Sequence, residues 1–149
     1  MSILTLDEVK FRTTEEILAL VRGFEDCTLP REEWTHAAHL TVALWYLLQY
    51  DWPEAAGCVR RGIKRYNAAH GVATTPTSGY HETLTLFWLR CVRSFLEGER
   101  NEGRSLVSLA NELAASADKN LPLAHYTRER LFSREARNAW VEPDLKPLN

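Results

Sequence analysis

Cysteine is scarce in this chain: Cys27, Cys58 and Cys91 are far apart, odd in number and form no CxxC pair. The pattern suits free, buried thiols in a reducing cytoplasm, and a thiolate zinc site would need closer or more numerous cysteines. Excess charge is also lacking. The net charge is -2 with histidine neutral, so the chain has no basic surplus of the kind a phosphate-reading nucleic-acid binder uses. The most apolar stretch, Leu40–Leu48, is too short to span a bilayer and is broken by Thr41. Met1 to Phe11 carries acidic residues and no apolar segment of the signal-peptide kind. A cytoplasmic protein with neither a membrane anchor nor a nucleic-acid partner is expected. Val, Ile and Thr do not gather into alternating runs, so few strands or none are expected. GxSxG, a Walker loop, a dinucleotide-binding glycine pattern and HExxH are all missing. No complete enzyme signature remains, and no nucleotide cofactor is expected.

What is present is helical periodicity in a chain of 149 residues, a usual length for one domain that can bury a core without staples. The expected fold is all-α: a single-domain, irregular bundle of five to seven helices with an extended tail from about residue 141. A first helix should open at Thr13 or Thr14 and bury Ile17, Leu20, Val21 and Phe24. A second is expected from about Arg31 to Tyr50, apolar almost all round and therefore central. Asp51-Trp52-Pro53-Glu54 reads as the capped start of a third, with Ala55, Val59, Gly62, Ile63, Tyr66 and His70 on one face and Gly71 as its stop. Val72–Ser78 reads as a loop. A fourth helix is expected to open after Ser78 and run to Glu97, burying Tyr80, Leu84, Phe87, Trp88, Cys91 and Phe95. Gly98–Gly103 reads as a polar break. A fifth should cover about Arg104 to Ala117. Shorter helices are expected from Pro122 and after Ser133, and oligomeric state is open.

The run Glu33-Trp34-Thr35-His36-Ala37-Ala38-His39 carries the main functional clue. Steps of three residues in a helix turn back by about 60°, so one carboxylate and two imidazoles would share one side. On the wheel Glu33 and His36 fall near the middle of the buried face and His39 on its flank. Polar groups are costly there unless they are used. Glu-x-x-His is a metal-ligand spacing in helix bundles. A second such pair is missing, so a di-iron site is doubtful, whereas one divalent ion (zinc, iron or manganese) held by Glu33, His36, His39 and His81 remains open. The alternative is that Glu33 only favours a helix N-terminus and the histidines satisfy backbone groups. Geometry separates these readings: metal ligation requires the His36, His39 and His81 nitrogens to meet at one point.

A second cluster, Ser78-Gly79-Tyr80-His81-Glu82-Thr83, puts His81 in the first turn of the fourth helix, where the positive helix end favours a neutral imidazole. Glu82 reads as a surface residue. Trp34, Trp45, Tyr80 and Trp88 could wall a small-molecule pocket, with Trp34, Tyr80 and Trp88 the candidate substrate contacts, although core packing is the default for such rings. His70 is expected to donate to the last carbonyls of the third helix, His125 has no assigned role, and Arg60, Arg61, Lys64 and Arg65 read as a solvated face.

The segments Leu29–Leu40, Gly79-Tyr80-His81-Glu82-Thr83 and Leu131–Arg137 resemble those of small uncharacterised bacterial helical proteins. The resemblance implies an all-helical single domain and no particular activity. Two function classes are therefore carried forward. One is a small metal-dependent or acid–base enzyme whose site lies between the starts of the second and fourth helices. The other is a non-catalytic module that binds a small molecule in an aromatic-lined pocket or packs against a partner.

Overall fold

The computed structural model describes residues 10–98 and 101–148. The expectation drawn from Met1 to Phe11 therefore lies, up to residue 9, outside the described residues, as do residues 99 and 100 of the polar break and the last residue of the tail.

The described chain is helical, with no named strand among the described residues. Five longer helices come first: α1 (Thr14–Glu25), α2 (His36–Gln49), α3 (Trp52–Ala69), α4 (Glu82–Glu97) and α5 (Leu106–Ser116). Three one-turn helices follow: α6 (Pro122–His125), α7 (Arg128–Leu131) and α8 (Arg134–Asn138). That is one more than the upper end of the expected range, because α7 carries too short a pattern to read from periodicity. Local capping explains the starts. Thr13 and Glu16 form a reciprocal capping box on α1. Asp51 accepts the Glu54 amide at the head of α3, with Pro53 in the first turn. Ser105 and Ser133 cap α5 and α8 in the same way. Each such cap is worth about 1 kcal/mol.

Helix α2 is central, as its all-round apolar sequence predicts, and packs against α1, α3, α4 and α5. It buries Leu40, Val42, Ala43, Leu44 and Tyr46 in the main core with Ile17, Val21, Phe24, Val59, Tyr66 and Leu89. A smaller cluster of Phe87, Tyr126 and Leu131 lies under the one-turn helices. Helix α4 stands between the two clusters. Its fully buried residues are therefore Thr83, Phe87, Leu89 and Val92, while Leu84, Trp88, Cys91 and Phe95 are only half-buried. The single expected face was too narrow a reading for a helix covered on two sides.

No helix among the described residues is long and apolar enough to cross a membrane. Residues 141–148 form no helix but are tied down. The His125 carbonyl accepts from the Leu145 and Lys146 amides. Asp144 accepts from both the amide and the hydroxyl of Thr127, which lowers its pKa. His125, unplaced from sequence, donates from Nδ1 to the Lys146 carbonyl at 2.8 Å.

Candidate functional site

The run from Glu33 to His39 is not one helix. Arg31–Glu33 is a separate 3-10 turn, and Trp34 leaves the helical region at φ -83, ψ 63. Thr35 then caps a new helix, its Oγ1 accepting the Ala38 amide at 3.2 Å. Glu33 is exposed and never joins the face that carries His36. Its expected place near the middle of the buried face of the second helix is thus corrected: the helix begins three residues later.

Starting α2 at His36 puts two imidazoles in its first turns. His39 donates from Nδ1 to the carbonyl of Thr35 at 2.7 Å, which leaves the lone pair on Nε2. Its ring stacks on Trp34 with centroids 3.8 Å apart. Burial is the main cause that pulls its pKa from 6.5 down to about 4, with His36 and Arg31 adding to the fall and the Thr35 bond opposing it. His36 meets Trp88 edge-on at 4.6 Å. Its Nε2 is buried and has no hydrogen-bond partner among the described residues. Burial also lowers the pKa of His36, Lys119 lowers it further, and Asp118 opposes both. Both rings are therefore neutral at pH 7.

The third imidazole does other work. His81 is not in the first turn of α4 but is its N-cap, and its Nδ1 accepts the Leu84 amide at 3.1 Å. Nε2 must then carry the proton, which it donates to the Leu131 carbonyl at 2.7 Å. Both nitrogens are used, so no lone pair is left for a metal ion. The four expected ligands thus divide: Glu33 lies exposed on another element, His81 is committed to backbone, and only His36 and His39 keep uncommitted nitrogens. Among the described residues no group of three or more His, Cys, Asp or Glu side chains is arranged to hold a metal ion. What the described residues leave free for a ligand is one nitrogen on His36 and one on His39.

The same residues do meet around a space. A cleft of about 550 Å³ lies between α2, α3 and α4. Of the residues expected as metal ligands or substrate contacts, His36, His39, His81, Trp34, Tyr80 and Trp88 line it, and Glu33 does not. Trp45 lies elsewhere, edge-on to Tyr46. Val42, Ala43, Val59, Ile63, Leu84 and Leu89 supply apolar lining, and Arg31, Asn67, Thr85 and Lys119 supply further polar groups. Arg31 and Lys119 were not found from sequence. Arg31 sits in a turn read there as helix, and Lys119 comes from the segment after α5, which no local pattern links to α2.

Tyr80 reaches the cleft because the preceding loop is held in one shape. Gly79 sits at φ 88, and a Cβ there would lie 2.7 Å from the Ala73 oxygen and the Thr74 Cα. Arg137, buried, donates to the carbonyls of Pro76, Gly79 and Tyr80. The Tyr80 hydroxyl donates to Glu82 at 2.6 Å, and burial first, then this bond, pushes its pKa up. Glu82 is no free surface residue: Arg60 grips it with both Nε and Nη2. Burial opposes its ionisation, but the Arg60 and Tyr80 bonds outweigh burial and its pKa is lowered. A second, larger cleft of about 850 Å³ opens beyond Tyr80, beside Arg60, Lys64 and Arg137. Its cations are already engaged, Lys64 lying over the Tyr80 ring at 5.0 Å.

Elsewhere, His70 does not serve its own helix end through its side chain. It donates to the Cys27 carbonyl at 2.9 Å and so ties α3 to the end of α1. All three cysteines are free, and burial pushes the Cys91 thiol up to about 11, which is the opposite of an activated nucleophile.

Comparison with protein-family models, curated proteins and solved structures finds no match to this chain.

Proposed function

We propose that this chain binds a small organic molecule in the cleft between α2, α3 and α4, with His36 as its principal polar contact. The observation that carries this reading is the buried, unpartnered Nε2 of His36 at the edge of Trp88. A buried polar atom left without a partner costs about 1–3 kcal/mol, and a ligand that hydrogen-bonds to it would relieve that cost. The cleft has the size and the mostly apolar lining of ordinary small-molecule sites, which run from about 300 to 1,000 Å³.

A second reading is supported by the same nitrogen. A neutral imidazole without a partner is what a general base requires, so His36 would accept a proton from the bound molecule. The free, widely spaced thiols support placing the protein in a reducing cytoplasm, and kinship with small bacterial helical proteins rests on the three segments named from the sequence.

A screen of small aromatic and aliphatic compounds by saturation-transfer NMR tests the binding reading. Hits on the native chain should weaken at least about tenfold, which is 1.4 kcal/mol, in both His36→Ala and Trp88→Ala. Hits indifferent to both substitutions, or no hit at all, would count against it. If His36 is a base, a bound compound is converted by the native chain and not by His36→Gln.

A further inference from the structure

We propose that the ligand is an organic acid bound as its anion, with an apolar body. This rests on the cleft being a ligand site, and it adds the charge and shape of what enters. Among the described residues, the charged side chains that line the cleft are Arg31 and Lys119, with no Asp or Glu. Each cation stands by one of the two uncommitted imidazoles. Lys119 acts on His36 and Arg31 acts on His39, in both cases disfavouring the charged ring. The polar end of the cleft is therefore cationic at its edge and neutral behind it.

The cations are also available. Lys119 is exposed and makes no ion pair among the described residues. Arg31 has one long bond, from Nη1 to Asn67 Oδ1 at 3.4 Å, and lies over Tyr66 with its Cζ 5.8 Å from the ring centre. That leaves donors of its guanidinium fork free for a carboxylate. The nearby carboxylates do not undo this. Asp118 opposes Lys119 at His36 but does not line the cleft. Glu32 and Glu33 are exposed on the 3-10 turn. Glu82 is bound by Arg60 and faces the other cleft.

The body of the ligand follows from the rest of the lining. Val42, Ala43, Val59, Ile63 and Leu89 offer only hydrocarbon. Trp34 already stacks on Phe24 at 4.7 Å as well as on His39, so much of its ring surface is in contact before any ligand arrives. An apolar body lies against the aliphatic wall and Trp88, the acid group lies toward Arg31 and Lys119, and His36 Nε2 meets a polar atom between them. A cationic ligand would bring its charge beside two cations, with no counter-charge among the described lining residues.

Three isosteric probes separate charge from shape: naphthalene-2-carboxylate, naphthalene-2-carboxamide and 2-naphthylmethylammonium, titrated into the full chain by calorimetry near neutral pH. The carboxylate should bind at least about tenfold tighter than the amide, and the ammonium weakest. In Lys119→Glu, an exposed site whose fold is checked by circular dichroism, the ratio of carboxylate to amide affinity should fall to near one. An amide that binds as tightly as the acid, an ammonium that binds tightest, or a ratio unchanged in Lys119→Glu overturns the charge assignment while binding itself persists. If none of the three binds, or Trp88→Ala leaves all three unaffected, the cleft reading fails and the charge assignment falls with it.

Discussion

His81 is the residue on which the metal-site and backbone-support readings differ most. In the structure it makes two bonds that no other residue replaces: it caps α4 by accepting the Leu84 amide, and it donates to the Leu131 carbonyl. The residue is only 7% exposed. Replacing it by alanine removes a cap worth about 1 kcal/mol. It also strands a carbonyl whose unmet bond costs about 1–3 kcal/mol. The sum is about 2–4 kcal/mol. For a chain of this size that lowers the melting temperature by roughly 5–15 °C. His81→Asn keeps an acceptor near the α4 amides but is too short to replace the bond to Leu131, so about 1 kcal/mol should return. Urea unfolding of the native chain, His81→Ala and His81→Asn measures all three. If His81→Ala were as stable as the native chain, and instead lost a stoichiometric zinc, iron or manganese ion found in the native protein by elemental analysis, the backbone account of His81 would be refuted.

Other outcomes follow from the same geometry. His39 has its pKa depressed from 6.5 to about 4, so between these values the unfolded chain binds more protons than the native one. Stability is then complete above pH 6.5 and falls on acidification toward pH 4, by on the order of 2–3 kcal/mol from His39 alone. His36 and His81 are shifted the same way and steepen the slope. Urea midpoints across this window, with His39→Gln flattening the curve, check it; a flat native curve would contradict it. Gly79→Ala forces a Cβ against the Ala73–Thr74 backbone at positive φ and should cost about 2 kcal/mol or more, read by thermal melting. Glu33→Ala, at an exposed position, should change stability by less than about 0.5 kcal/mol and leave probe binding unaltered; a loss of binding would return Glu33 to the site.

Much of this was legible because it is written locally. His36 and His39 stand out as polar residues at the head of an apolar helix, and Trp34, Tyr80 and Trp88 as large rings near two helix starts. Thr13, Asp51, Ser105 and Ser133 mark helix starts by their own side chains. Thr35 carries the same signal, and as the cap of α2 it leaves Glu33 off the helix. His81 gives no such signal: imidazole is an uncommon cap, so the sequence points to a start of α4 nearer Ser78. Arg31 and Lys119 were out of reach because their proximity to the two imidazoles depends on how α5 and the 3-10 turn pack around α2. The role of Glu82 depends on packing in the same way, since its partner Arg60 sits on a different helix.

The central claim is that the space lined by His36, His39, Trp34 and Trp88 receives a ligand. The chain has five tryptophans, and their indole N–H resonances report on five places at once. Titrating naphthalene-2-carboxylate into nitrogen-15-labelled protein should move the signals of Trp34 and Trp88, which line the cleft, and leave those of Trp45, Trp52 and Trp140 in place. Shifts confined to the latter three, or no indole shift up to millimolar probe, would contradict the account.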